Sequence, residues 1–378
     1  MTHSEDHHYH WWRYFRGKEM NQIYISVALR SLAISLISIF VPMYLYNELG
    51  YTLAETLVFY IFYAVIFAIS TPFTAKFACK YGFKHSVLLS APMYVMYFFL
   101  LYQLDTYQIP LVLIAGLLGL GMSFFWMGMH LEFKKVSHKN HRGEEVGKRE
   151  AVAILATLLG PLAGGALIKF VNFHIVFILA SVLLLISALF LFASSERHVP
   201  YHFSVKSIFD KRYWRSSLFF VYRGMFAMTN GVIWPLFIFM SLSDYFTVGI
   251  LGSVAAIGTS ILMVFTGKLS DHKFKKRTII KWFVPFESLS WIVRGFLTTF
   301  SGFLGVTMFH SITYGAMSSP MSAREYNHTR DNAVEYFITR EIFICLGRIL
   351  VLCFLLLTAS FVSSFVLVGA ASFLAVLF

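Results

Sequence analysis

Residues 174–194 read HIVFILASVLLLISALFLFAS, a stretch without a single Asp, Glu, Lys or Arg. At 1.5 Å of rise per residue, a helix of this length covers the roughly 30 Å of a bilayer's hydrocarbon core. A barrel strand would alternate polar and apolar positions over about ten residues, whereas this run is continuously apolar, so its backbone must be satisfied within a helix. The same pattern repeats outward. Apolar runs lie at about 22–46, 53–74, 85–104, 109–131 and 151–171 before it. After a polar stretch from Ser195 to Arg215, six more follow at about 217–241, 246–266, 279–299, 302–322, 337–358 and 361–378. The expected fold class is an all-α integral membrane protein with twelve transmembrane helices.

Composition supports this. Of 378 residues, 58% are hydrophobic and 13% charged, against about 25% charged in ordinary soluble domains. A water-soluble globule is excluded. Cys79, Cys345 and Cys353 fall in or beside apolar runs and read as small buried hydrophobes, not as a disulfide framework. No GxxxxGK[ST] string occurs and no polar segment is long enough for a nucleotide-binding domain, which argues against direct ATP-driven pumping.

Basic residues set the expected orientation. Of 31 Lys and Arg, 26 fall in the amino-terminal tail and the loops after spans 2, 4, 6, 8 and 10. Only Lys169 lies on the opposite side, and Arg30, Arg223, Arg294 and Arg348 lie within spans. The positive-inside rule then places the chain in a cytoplasmic (inner) membrane, multi-pass, with both termini cytoplasmic. The net charge of +12 follows from these loops, which can rest on anionic lipid, so no nucleic-acid partner is needed. Trp11, Trp12, Tyr14 and Phe15 read as an interfacial anchor, and His3, His7, His8 and His10 as a polar tail, not a metal site. The first apolar run is longer than a signal core and lacks a small-residue cleavage site, so no cleavable signal is expected.

The two halves read as copies. Arg30 and Pro42 sit twelve residues apart, as do Arg223 and Pro235, and both pairs are related by an offset of 193 residues. Glu132 and Glu325 share that offset. The expected organisation is a cytoplasmic tail (1–21), a six-helix bundle (22–194), a linker (195–216) and a second six-helix bundle (217–378), the two bundles pseudo-symmetric about the membrane normal.

The loop after span 8 carries Gly267, Lys268, Leu269, Ser270, Asp271, His272, Lys273, Phe274, Lys275 and Lys276. This resembles the loop signature of the major facilitator superfamily, matching at Gly267, Asp271, Lys275 and Lys276, with His272 at the usual Arg position and a departure at Phe274. The copy after span 2 keeps Lys80, Gly82 and Lys84 but has Cys79 where the acid stands. Gly160, Pro161, Gly164 and Gly165 in span 5 look like the GPxxGG run of many antiporters of the superfamily; small residues also simply let helices approach. The span 4 Arg of proton-coupled drug antiporters is absent, since residues 111–129 contain no basic group.

The resemblance implies a secondary transporter working by alternating access, with spans 1, 4, 7 and 10 lining a central cavity. Arg30 and Arg223 then form either an anion clamp, each presenting a forked donor set, or a brace for Glu132 and Glu325 near the inner gate. This pair looks like the paired arginines of the organophosphate and phosphate antiporters. Trp126, Asn230, Trp234, His310 and Tyr314 are the other candidate substrate contacts. Asp271 and the basic residues of its loop are expected to hold cytoplasmic closure with Glu132, Glu325, Arg340 and Glu341. Glu287 with Arg294, and Glu341 with Arg348, are each seven apart on one helical stripe and can neutralise one another or a neighbour. His310 is the candidate proton carrier. The expected partners are a small organic or inorganic solute, anionic if the arginine pair is a clamp, with protons or a counter-anion, and the bilayer. No cofactor or metal is called for, and the protein is expected to be a monomer. Export of hydrophobic drugs is the alternative, followed by a transporter-like scaffold or sensor without flux.

An enzyme reading would rest on Glu144, Glu145 and Arg149 with Phe170 and His174, which resemble the EExxxR and FxxxH motifs of intramembrane prenyl-protein peptidases. A helix of about 30 Å separates Glu145 from His174, too far for one zinc site.

Overall fold

The computed structural model describes residues 18–136, 153, 157–192, 196, 198–208, 210, 214–272, 276–327 and 332–377. The amino-terminal His and Trp clusters, Glu144, Glu145, Arg149 and Lys275 lie outside these residues. In chain order the helices are α1 (Lys18–Ser35), α2 (Val41–Met43) with a π turn (Tyr44–Glu48), α3 (Leu53–Tyr81), α4 (Phe83–Tyr102) and α5 (Leu111–Val136). They continue with α6 (Gly160–Phe170), α7 (Phe173–Phe192), α8 (Val205–Ile208), α9 (Trp214–Met228), a π turn (Thr229–Ile233) and α10 (Trp234–Leu242). The last are α11 (Tyr245–His272), α12 (Lys276–Arg294), α13 (Phe300–Asn327), α14 (Ala333–Thr358), α15 (Phe361–Ala371) and α16 (Leu374–Leu377).

Local chemistry sets these boundaries. Thr52 and Glu55 form a reciprocal cap at the start of α3, with Thr52 N–H donating to Glu55 Oε2 at 2.8 Å. Asn332 Oδ1 accepts from Glu335 N–H at 3.2 Å to start α14, and Ser360 Oγ accepts from Ser363 N–H at 3.2 Å to start α15. Between α3 and α4 the chain turns at Gly82, whose φ of +112° few residues with a Cβ tolerate. Span 1 was expected as one uninterrupted helix; it breaks after Ser35 and resumes with Pro42 in the first turn of α2. At the matching place in the second half, the π turn precedes α10, which begins with Trp234 and Pro235. Proline lacks an N–H and its ring collides with the carbonyl four residues back, so each helix unwinds locally just before it.

Among the described residues, seven helices are long and apolar enough to cross a membrane: Leu53–Tyr81, Phe83–Tyr102, Leu111–Glu132, Phe173–Phe190, Trp214–Leu242, Tyr245–Met263 and Ala333–Thr358. Of the five remaining expected spans, 151–171 begins in residues mostly outside those described, and the other four fall short for visible reasons. α1 is cut by its break, α12 carries Lys276, Arg277, Lys281, Glu287 and Arg294, and α13 is rich in Ser and Thr. α15 ends at Ala371 and only the short α16 follows.

Packing pairs recur. α3 and α4 both pack on α5, and α11 and α12 both pack on α13. α4 packs on α7, and α12 on α15. Two further contacts cross between the halves, α6 on α11 and α3 on α14. Backbone proximity at these crossings explains the span 5 glycines. A Cβ at Gly164 would strike the Leu36 carbonyl, one at Gly160 the Ser35 side chain, and one at Gly165 the Tyr245 backbone. Gly249 of α11 in turn faces the Pro161 backbone, so the GPxxGG run seats α6 between α1 and α11.

Candidate functional site

Two cavities lie where α3, α4 and α5 of the first half meet α9, α13 and α14 of the second. One, about 190 Å³, is lined by Trp126, Arg223, Phe226, Tyr314, Arg340 and Arg348 together with Ala227, Glu341 and Ile344. The other, about 220 Å³, is walled by Tyr60, Tyr63, Tyr94, Tyr97 and Phe98 from α3 and α4, and by Met228, Gly231 and Val232 from the second half. Ala227 and Arg348 line both. The tyrosines come in pairs three residues apart on one helix, a spacing that puts both rings on one face.

At one end of the first cavity lies a buried ionic network. Arg340 donates through Nε to Glu325 Oε2 at 3.0 Å, and its Nη2 is also 3.0 Å from that oxygen. Arg223 Nε stands 3.3 Å from Glu325 Oε1 and Nη1 donates to the Tyr314 hydroxyl at 2.9 Å. Arg340 also pairs with Glu341. Across from it, His130 of α5 places Nε2 at 3.2 Å from both Glu341 Oε1 and Arg340 Nη1. A single ring nitrogen cannot donate to the carboxylate and accept from the guanidinium at once, so the His130 proton selects between these two bonds. The ring is held between Trp126 at 5.2 Å and Phe337 at 4.7 Å, both stacked. Around it Ala75, Ala78, Met127 and Leu131 of the first half pack on Phe337 and Ile338 of α14.

The opposite end is clasped differently. Lys169 Nζ is 2.9 Å from Asp244 Oδ1, both partly exposed. The Tyr245 hydroxyl donates to Glu48 Oε1 at 2.5 Å and accepts from Asn47 at 3.0 Å, linking α11 to the π turn after α2. Burial pushes the Asp244 carboxyl upward, but hydrogen bonds from Thr247 and the Lys169 ammonium outweigh it and hold the group below its ordinary range.

The sequence-derived candidates distribute as follows. Trp126, Arg223 and Tyr314 line the first cavity. Arg30 lines neither; its guanidinium lies between Phe125 at 3.5 Å and Tyr94 at 4.4 Å, behind the tyrosine wall. Arg30 and Arg223 share no partner among the described contacts. Asn230 falls in the second π turn, and Trp234 packs among Phe237, Phe303 and Phe365 beneath Arg294. His310 is buried with Nδ1 3.1 Å from Glu287, whose carboxylate also accepts from Trp291 Nε1 at 2.9 Å and Thr313 at 2.5 Å. Arg294 therefore does not pair directly with Glu287 but lies over Trp291 at 3.9 Å and Trp234 at 4.5 Å. Glu132 is buried near the end of α5.

Of the loop motif, Gly267, Asp271 and His272 fall in the last turns of α11. In the first copy, Lys80 lies over the Tyr81 ring at 5.0 Å and Lys84 is buried at the start of α4. The acid that this copy lacks at Cys79 arrives from elsewhere. Glu196 of the linker accepts from Lys84 N–H at 3.1 Å and pairs with His85 at 2.6 Å, a carboxylate at a helix N-terminus. His174 is engaged by Asp105 at 3.3 Å and Tyr102. Among the described residues no cluster of His, Cys, Asp and Glu could hold a metal, and the three cysteines are free.

Sequence reasoning missed the tyrosine wall, His130, Glu196 and the place of Arg348. A cation inside an apolar span was the available signal for Arg348. The three-residue spacing of the tyrosines was the signal for the wall.

The family model described as Major Facilitator Superfamily matches residues 23–351. A Bacillus subtilis (strain 168) protein described as uncharacterized protein YqgE is 25% identical over 275 residues, covering 68% of this chain. The chain spans 63% of that relative's length.

Proposed function

Because the chain belongs to the major facilitator superfamily, we propose that it is a twelve-span, two-bundle secondary transporter that carries a small anionic solute across the cytoplasmic membrane by alternating access. The mirrored packing of α3, α4, α5 and α7 with α11, α12, α13 and α15 supports the duplicated bundles. The basic loops support a cytoplasmic position for the end holding Glu325 and Arg340. The observation that carries the reading is a cavity between the halves, clasped at both ends, with Arg223, Arg340 and Arg348 in its wall against one acid, Glu341.

In this scheme the inner network must part for the site to face the cytoplasm, and the Lys169, Asp244 and Tyr245 clasp must part for it to face outward. An entering anion gains attraction from the guanidiniums that Glu325 otherwise occupies, so binding and release of the inner network are coupled. Arg30 acts from behind Tyr94. His310 with Glu287 is the candidate site for a coupling proton.

Counterflow in proteoliposomes tests the proposal. Substituting Arg223→Gln is expected to raise the half-saturation of an anionic solute tenfold or more, equivalent to about 1.4 kcal/mol. Absence of counterflow for every solute of a broad anion, cation and neutral panel would remove the transport reading.

A further inference from the structure

Each charged side chain around the two cavities has a direct ion-pair partner, with one exception. Arg223 and Arg340 flank Glu325, and Glu341 is held by Arg340 and His130. Arg348, 9% exposed, donates to the Tyr63 hydroxyl at 2.9 Å and weakly to Cys345 Sγ at 3.8 Å, and among the described residues no carboxylate lies within ion-pair distance of it. A guanidinium has five N–H donors, so most of its donor capacity is left unused by these bonds. The opposite charge that acts on it is Glu341, which already pairs directly with Arg340 and His130, so this desolvated cation is only partly compensated, and it stands at the junction of both cavities.

The second cavity defines what accompanies the charge. Apart from Arg348, its wall contains no group that is charged near neutral pH: the lining is aliphatic side chains, Met122, Met228, Gly231, Phe98 and the four tyrosines, with Ser38 as the one further hydroxyl. A cage of aromatic faces ordinarily suits an organic cation. That role is already filled, because Arg348 lies over Phe67 at 5.1 Å and Tyr63 at 5.5 Å, and a second cation would be repelled. Arg30 behind Tyr94 adds further positive potential. The volume of about 220 Å³ is below the roughly 300 Å³ at which drug-sized pockets begin, which limits the body to one ring or a short chain.

We propose that Arg348 and the tyrosine wall form the binding site for a small amphipathic organic anion, its carboxylate forked by the Arg348 guanidinium and its apolar body lying among Tyr60, Tyr63, Tyr94 and Tyr97. This deepens the transport reading by naming a substrate class and rests on that reading for its role in flux, but not for binding. The planar guanidinium matches a carboxylate through two parallel bonds, which an ammonium cannot do.

The test is calorimetric titration of the purified full chain with phenylacetate, 3-phenylpropionate and 4-phenylbutyrate, alongside their amides, phenyltrimethylammonium and inorganic phosphate. The phenylalkanoates are expected to bind, the amides and the cation to bind at least tenfold more weakly, and inorganic phosphate to lack the gain from the ring. Arg348→Gln is expected to weaken the carboxylates tenfold or more without changing the amides, and Arg348→Lys to recover only part of that loss. Gly231→Leu guards against loss by misfolding, because a Cβ there meets nothing within 4 Å and the new side chain enters the cavity. It is expected to melt like the parent and yet lose phenylalkanoate binding. Tighter binding of phenyltrimethylammonium than of phenylacetate, unchanged carboxylate affinity in Arg348→Gln, or no phenylalkanoate binding at all would overturn the proposal. Binding without counterflow would leave this site standing and remove transport, whereas counterflow of another solute with no phenylalkanoate binding would do the reverse.

Discussion

The two ends of the central cavity are closed by different chemistry. Toward the basic loops, Glu325, Glu341 and His130 are buried and Arg340 half-buried in a network that joins α5 to α13 and α14, backed by Phe337 and Ile338. At the other end, Lys169, Asp244, Glu48 and Tyr245 meet in a clasp whose charged members stay partly in water. Buried charges are expensive to orphan, since removing one partner of a desolvated pair costs about 3–5 kcal/mol. An exposed pair contributes about 0–1 kcal/mol and is screened by salt. Under the proposed alternating-access cycle, the closure beside the basic loops would be the one that needs a ligand to open it, and the opposite one would yield to thermal motion.

The sharpest way to break this comparison is Glu325→Gln, which takes the carboxylate from Arg340 and Arg223 together. We expect this closed arrangement to lose about 3–5 kcal/mol. Thiol labelling of an Ala227→Cys reporter from the basic-loop side should then rise, and unchanged labelling would mean the network does not hold this end shut. Next in size is Gly165→Val, whose side chain would collide with the Tyr245 backbone. Overpacking of this kind costs about 1–3 kcal/mol and should expose the same reporter from the opposite side. A melt that falls without any change in labelling would show that the glycine only packs.

Smaller effects should follow from the clasp itself. Tyr245→Phe removes a hydroxyl that donates to Glu48 and accepts from Asn47, for an expected loss of about 1 kcal/mol in thermal unfolding. Lys169→Ala should cost less than about 1 kcal/mol and nothing measurable in high salt. Since the Asp244 carboxyl is held below its ordinary value of 3.8, its contribution is complete above that pH and fades only as pH falls through the lower folded value. Opening of this end should therefore be insensitive to pH between about 6 and 8 as far as Asp244 is concerned; a Lys169-dependent change in that window would contradict this assignment.

How far the sequence could be read depended on how rare each signal is. Charged residues inside or beside apolar runs are few, so Arg223, Glu325, Arg340 and Glu341 stand out in the residue string alone, and folding gathers them around one network. Prolines at equivalent positions are visible too, but not what they do, because a proline near a helix start and one that unwinds a helix look the same in sequence. Tyr60, Tyr63, Tyr94 and Tyr97 are lost among 20 tyrosines and 41 phenylalanines, where an aromatic residue is the ordinary filler of a membrane interior. Glu196 is unreadable for another reason. Its partners Lys84 and His85 lie more than a hundred residues away, and nothing in a linker's composition tells which helix it will touch.

The interruptions before Pro42 and Pro235 carry a mechanical consequence. A continuous helix of twenty-five or more residues behaves as a stiff rod, so tilting it to release one end would drag the other end along. A rod with a loosened joint part-way along is two levers sharing a pivot. Each arm can lean alone, so under the proposed transport cycle one doorway would unlatch while the other stays fastened.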